Sequence, residues 1–149
     1  MGDFHPDIVV GIDFGMTSTA VSWSMGPEWT EPRAILRWPT IAGYDLQERV
    51  DSCICYDIAT RAPTRLWGLL CNPDDERFEF NALFKLNIDP EYTDPIEDAP
   101  SCEEAQTWYR DYLGCLYRYL KLHFSDNIPR FAQKKVESVD DLDIHVAAS

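Results

Sequence analysis

The 149-residue chain carries 26 acids against 13 bases, a formal charge of −13. That balance argues against a nucleic-acid or anionic-membrane surface as its main role, because phosphate contacts need clustered Lys and Arg. Hydrophobic residues make up 45% and aromatics 13% of the sequence, enough for a core and unlike a disordered chain, and no apolar run approaches the roughly 20 residues of a membrane helix.

At this length the chain fits one domain or a piece of a larger one. Residues 1–7 lack the basic and apolar regions of a signal peptide. Gly2 follows Met1, but Pro6 stands where a myristoylation signal needs Ser or Thr. The cysteines Cys53, Cys55, Cys71, Cys102 and Cys115 are an odd set without framework spacing. The expectation is a cytoplasmic protein with reduced thiols.

Residues 7–25 read as strand, tight turn, strand. Ile8, Val10, Ile12 and Phe14 fall on one face at period two. Asp13 stands just before the turn and reads as a buried acid, which is costly unless something pairs with it. The turn Gly15-Met16-Thr17 is too short to open a helix. Its backbone N–H groups are therefore expected to converge as an anion-binding nest between the strands. A carboxylate beside such a nest suits a magnesium-bound phosphate, because Mg²⁺ takes hard oxygen ligands and keeps several waters. An ordinary core strand and hairpin would share most of these letters; the acid favours the phosphate site.

Residues 33–39 predict a third strand, with Pro39 ending it or marking an edge. Residues 41–48 read as a polar loop, 49–57 as a fourth short strand, and 64–71 as a short strand or a strand entering a helix. Cys53 and Cys55 fall on one strand face. A zinc site there would need two further ligands, and His5, His123 and His145 are scattered. Residues 72–77 read as a loop or helix start, and the apolar run 78–86 cannot be typed by its period. Residues 87–100, with three prolines and five acids, read as a solvated loop without a specific role for its charge.

The clearest helix spans residues 101–125. Ser101 and Glu104 have the spacing of a capping box. Ala105, Trp108, Tyr109, Tyr112, Leu113, Leu116, Tyr117, Leu120 and Phe124 then form an apolar stripe over about five turns. Residues 126–129, ending in Pro129, stop it. Residues 143–149 begin a new strand, which a preceding helix usually delivers as a parallel neighbour in the same sheet. His145 on that strand reads as a surface or core-edge residue. Asp13-Phe-Gly15 matches the kinase metal triplet by letters, but no His-Arg-Asp loop precedes it.

The segment Val10-Gly-Ile-Asp-Phe-Gly-Met-Thr17 resembles the first phosphate motif of the actin-like ATPases, most closely that of the 70-kDa heat-shock chaperone family. Later segments are similar to a divergent fungal-type branch. Val50-Asp-Ser-Cys-Ile-Cys-Tyr56 resembles its "PS-x-I-x-Y" strand, Leu66-Trp-Gly68 its "W-G" turn, and Phe84-Lys-Leu86 its "F-K-L" segment. Asp111-Tyr-Leu113, with the Tyr and Leu residues after it, resembles the family's long helix, and residues 140–149 resemble the strand that runs into "S-V-P-T-T-W". The resemblance implies an α/β, ribonuclease H-like subdomain that is incomplete. Its mixed sheet would have antiparallel first three strands and a long helix leading to a parallel strand. It further implies ATP or ADP as ligand. Asp13 would hold Mg²⁺ through water, and the backbone at Gly15, Met16, Thr17 and Ser18 would contact the phosphates.

Three departures qualify what the resemblance implies. Met16 stands where the typical chaperone has a Thr hydroxyl. Asn72 stands where it has a catalytic Lys, and Lys85 is the nearby alternative in sequence. The second phosphate motif and the Gly-rich adenosine motif are not in this sequence. The expectation is therefore the N-terminal part of an ATP-binding, chaperone-like protein that by itself hydrolyses little ATP, its unfolded-protein or co-chaperone partners belonging to the longer parent. One alternative is a truncated, non-enzymatic remnant that binds other proteins through an unfinished sheet edge. A sugar or polyol kinase fragment is the other, disfavoured by the later matches.

Overall fold

The computed structural model describes residues 5–29, 31–128 and 143–149. Residues 1–4, the helix-stopping Pro129, and residues 140–142 of the last resemblance lie outside the described residues. The architecture is α/β: a mixed sheet with one long helix on one face, and two smaller antiparallel sheets, of two and three strands, inserted in sequence before the helix.

Two strands, β1 (Ile8–Phe14) and β2 (Ser18–Met25), form the central hairpin, antiparallel from Ile8↔Met25 to Phe14↔Thr19. Their period-two pattern decides which side is covered. Ile8, Val10, Ile12, Phe14, Thr19, Val21 and Trp23 are buried, while Asp13 on the alternate face is exposed. The helix α1 (Cys102–Asn127) lays Ala105, Tyr112, Cys115, Leu116, Leu120 and Phe124 against this apolar face. The Trp23 and Phe124 rings meet edge-on at 5.3 Å, and Phe14 meets Tyr109 and Tyr112 at 4.8 and 5.4 Å. The helix begins as expected, with the Ser101 hydroxyl accepting from the Glu104 N–H at 3.1 Å.

The first three strands of the mixed sheet are antiparallel, as expected, but the third is short. β3 (Arg33–Ala34) pairs with β2 through Ser22↔Ala34 and Trp23↔Arg33. The expected strand 33–39 breaks after Ala34, and β4 (Arg37–Thr40) pairs instead with β5 (Gly43–Leu46). The expected polar loop 41–48 is thus half strand. A two-residue connection suffices because Gly43 takes φ +133°, which side chains disfavour. Only Trp38 of this ribbon is buried, so the alternation that signals a half-buried strand is missing.

The expected strand 49–57 is also two. β6 (Val50–Asp51) pairs with β2, and β7 (Cys53–Asp57) moves to a three-stranded sheet between β8 (Pro63–Trp67) and β9 (Phe78–Ala82). The switch falls at Ser52, whose N–H donates to the Thr17 carbonyl at 3.0 Å. β8 runs into a 3₁₀ turn at Gly68–Leu70.

Within the expected solvated loop, Asn87 is buried and donates to the Asp94 carboxylate at 2.9 Å, so one of its acids is a structural anchor. That hydrogen bond, followed by the Ile96 N–H, holds the Asp94 carboxyl below its ordinary range.

After α1, β10 (Ile144–Ala148) lies parallel to β1 with Ile8↔Ile144 and Ile12↔Ala148 in register. The sheet order is β10-β1-β2-β3, with β6 also on β2. Among the described residues no helix is long and apolar enough to cross a membrane.

Candidate functional site

β1 and β2 present small and polar side chains on the face opposite α1. Gly11 and Asp13 sit across from Ser22 and Ala20. They join Arg49 and Ala147 in lining an open groove of about 580 Å³. Small residues in these places leave room above the sheet that bulkier ones would fill.

Asp13 is not buried. Its side chain is 62% exposed, because the alternation that buries Ile12 and Phe14 turns residue 13 outward. The desolvation argument drawn from the sequence therefore fails, but the carboxylate does have a partner. Arg49 Nη1 donates to Asp13 Oδ2 at 3.1 Å, Nε donates to the Ser18 hydroxyl at 2.7 Å, and Nη2 donates to the Ser18 carbonyl at 2.8 Å. One guanidinium thus ties the end of β1 to the start of β2. Nothing in the sequence between residues 13 and 49 announces that contact; it arises because β6 brings Arg49 up beside the hairpin.

The turn itself differs from the expected nest in one respect. The Gly15 N–H donates to the Ser18 carbonyl at 2.9 Å and is spent inside the hairpin. The amides of Met16 and Thr17 donate to no group among the described residues. Gly15 is demanded by crowding, since a Cβ there would fall 2.6 Å from the Ser18 carbonyl oxygen and 3.1 Å from Arg49 Nη2. Thr17 is exposed and Met16 half-buried, so the turn keeps an open side.

A buried polar cluster supports the hairpin from below. The Thr19 and Ser52 hydroxyls are 2.8 Å apart, and the Tyr112 hydroxyl donates to Thr19 Oγ1 at 2.9 Å and lies 3.2 Å from the Asp51 carbonyl. Burial pushes the Tyr112 phenol well above its ordinary value. The cluster fixes hairpin, strand switch and helix to one another with no unpaired hydroxyl.

The other sequence candidates lie elsewhere. Asn72 folds onto its own loop, its Oδ1 accepting from the Asp74 N–H at 3.1 Å. Lys85 opens the 3₁₀ turn Leu86–Ile88, and none of the hairpin hydrogen bonds involves it. His145 is exposed on β10. Cys71 lies near Cys53 and Cys55, a grouping the spacing did not reveal. Its thiol is held far above its ordinary value, first by the Cys53 hydrogen bond and then by burial, and burial also raises Cys55.

Among the described residues no group of three or more His, Cys, Asp or Glu is arranged to hold a metal. Asp13, a lone carboxylate with one oxygen engaged by Arg49, does not fit a direct cage. It does fit Mg²⁺ that keeps its waters and shares its load with substrate phosphates. No protein-family model, curated protein or solved structure matches the chain.

Proposed function

We propose that the chain is a nucleotide-binding lobe of the actin-like ATPase kind, in a heat-shock-chaperone-like protein, and that it supplies the first phosphate hairpin. The reading rests chiefly on one observation: an exposed acid lining an open groove stands just before a turn whose Met16 and Thr17 amides donate to no group among the described residues. Strand order supports it too. An antiparallel β1–β2–β3 set followed by a helix and a strand parallel to β1 is the arrangement a ribonuclease H-like lobe would have.

In this reading Asp13 holds Mg²⁺ through water, and the metal neutralises phosphate charge when bound. Met16 and Thr17 offer their N–H groups and Ser18 its hydroxyl; Gly15 shapes the turn rather than donating. Arg49 takes the part that Asn72 cannot, a fixed positive charge beside the phosphates. Orienting phosphate with donors, metal and a cation is the main work of phosphoryl-transfer catalysis. The opposite wall of the cleft, with the second phosphate and adenosine motifs, is not in this sequence. The chain alone therefore binds weakly and turns over little ATP. Clients and co-chaperones belong to the longer parent.

Titration of the ¹⁵N-labelled chain with Mg-ATP and Mg-ADP tests the reading. Magnesium-dependent shifts at residues 13–18 and Arg49, absent in Asp13→Asn, are expected. Shifts elsewhere with a silent hairpin would remove the phosphate site, and steady turnover by the chain alone would remove the one-wall argument.

A second reading, binding of other proteins by strand addition, has its own support. Among the described residues β10 pairs with β1 only, and four of its five residues are exposed. A concentration-independent monomer in light scattering that captures no strand peptide would count against it.

A further inference from the structure

A second cavity, of about 510 Å³, lies away from the hairpin, between the C-terminal half of α1, the β4–β5 ribbon and β8. Its lining is unlike the rest of this acidic molecule. Arg37, Arg65 and Arg118, from three different elements, converge on it, with Tyr119 and Trp67 as aromatic wall. Three of the 13 bases in a chain of net charge −13 are thus gathered at one cavity.

These arginines are not consumed by ion pairs. Among the described residues no carboxylate lies within salt-bridge distance of any of the three. Arg37 stacks over the Tyr44 ring at 3.9 Å, and Arg118 Nη2 donates to the Cys115 sulfur at 3.3 Å. Arg49, Arg77 and Arg110, by contrast, each face an Asp. Gathering like charges with no carboxylate in direct contact costs self-repulsion that a bound anion would relieve. Among the described residues Asp126 is the one acid lining the cavity. His123, also lining it, is held below its ordinary value by burial and then by the Arg37 charge, with Asp126 opposing.

The frame around the cavity is built rather than loose. The Tyr119 hydroxyl donates to the Arg37 carbonyl, tying the helix to the ribbon. Trp38, behind the wall, packs edge-on against Trp67 at 6.4 Å and donates to the Gln47 carbonyl at 3.0 Å. The volume falls in the range of small-molecule sites. Guanidinium forks suit phosphate oxygens in particular, and the exposed Tyr44 ring and half-buried Tyr119 ring offer faces for a flat organic group.

We propose that this cavity is a binding site for a small organic phosphate, its phosphate held by Arg37, Arg65 and Arg118 and its planar group laid against the tyrosines. The site is separate from the hairpin and does not depend on the nucleotide reading.

Calorimetry and ¹⁵N-detected titration with phenyl phosphate, without magnesium, test it, with phenol as the uncharged control. The expected result is one saturable site with shifts at Arg65, Arg118 and Tyr119, and no binding of phenol. Arg65→Gln and Arg118→Gln, both on exposed side chains, are each expected to weaken binding about tenfold, the worth of one charge-assisted hydrogen bond. Arg37 is left intact because its backbone and ring contacts hold the ribbon. Arg77→Gln, on an exposed side chain that lines neither cavity, is expected to leave phenyl phosphate binding unchanged. Absence of saturable binding by wild type, or full affinity in a folded Arg65→Gln/Arg118→Gln double variant, would overturn the proposal. Folding of the variants is read from their thermal melts.

Discussion

Arg49 grips Asp13 and Ser18 together, with Nη1 3.1 Å from the carboxylate and Nε 2.7 Å from the hydroxyl. The pair is largely solvated, at 39% and 62% side-chain exposure, so its worth to folding is at most about 1 kcal/mol. Asp13→Asn should therefore shift the urea midpoint very little. Under the proposed function the same change abolishes the magnesium-dependent nucleotide response. Near-wild-type stability with loss of the response separates a ligand role from a folding role; a large loss of stability would mean that the carboxylate holds the hairpin together.

The buried hydroxyl cluster makes a graded prediction. Tyr112→Phe removes one donor but leaves Thr19 and Ser52 paired with each other, and should cost about 1 kcal/mol. Thr19→Val keeps the shape but takes away the Thr19 partner of the buried Ser52 hydroxyl and leaves Tyr112 only the longer contact with the Asp51 carbonyl. It should cost about 2–3 kcal/mol, since buried groups left unpaired bear their full desolvation penalty. Urea denaturation of the two variants checks the order; equal costs would show that the cluster does not act as a unit.

The elements legible in the sequence are those where periodicity and local chemistry agree. The hairpin 7–25 and the helix 101–125 each carry one apolar face and a local signal, a glycine turn or a Ser101 cap, and both stand where expected. The ribbon at 37–46 did not show itself because it buries only Trp38, and without alternation strand and polar loop look alike. The break at Ser52 was hidden for a different reason. A run that alternates well can still change sheets, and what moves it is the contact of Ser52 with Thr17 and Thr19, over thirty residues away in sequence. Asp13 was found but misjudged, because a charge in a Val/Ile-rich strand reads as buried unless the open face of the sheet is known. Arg49 and the convergence of Arg37, Arg65 and Arg118 are products of tertiary folding, with no spacing to betray them.

Capping at Ser101 predicts a local effect. The hydroxyl satisfies the Glu104 N–H, one of the otherwise orphaned donors of the first turn. Ser101→Ala should cost about 1 kcal/mol, and Ser101→Asp should restore it, because an aspartate both caps and complements the helix dipole. Amide exchange at residues 102–105 should quicken in the alanine variant while the Tyr112–Phe124 half is unchanged. Uniform quickening along α1 would instead mark the cap as essential to the whole helix.

The last prediction concerns alkaline pH. Cys55 and Cys71 are raised above the ordinary thiol value of 9.0, Cys55 chiefly by burial and Cys71 chiefly by its hydrogen bond with Cys53. Tyr56 and Tyr112 are raised above 10.0 by burial, and Tyr119, for the same reason, is pushed up to about 12. In every case the folded protein holds the proton more tightly than the unfolded chain. The stabilisation is complete below the unfolded values and is lost as pH climbs through the folded ones, so the window opens near pH 9 for the thiols and near pH 10 for the phenols. Stability measured by urea melts should be flat from pH 7 to 8.5 and fall steeply beyond pH 9. Iodoacetamide at pH 8 should label Cys55 and Cys71 more slowly in the native than in the denatured chain, because only thiolate reacts. Native labelling as fast as in urea would show that burial of Cys55 and the Cys53 neighbour of Cys71 do not hold these protons in the folded chain.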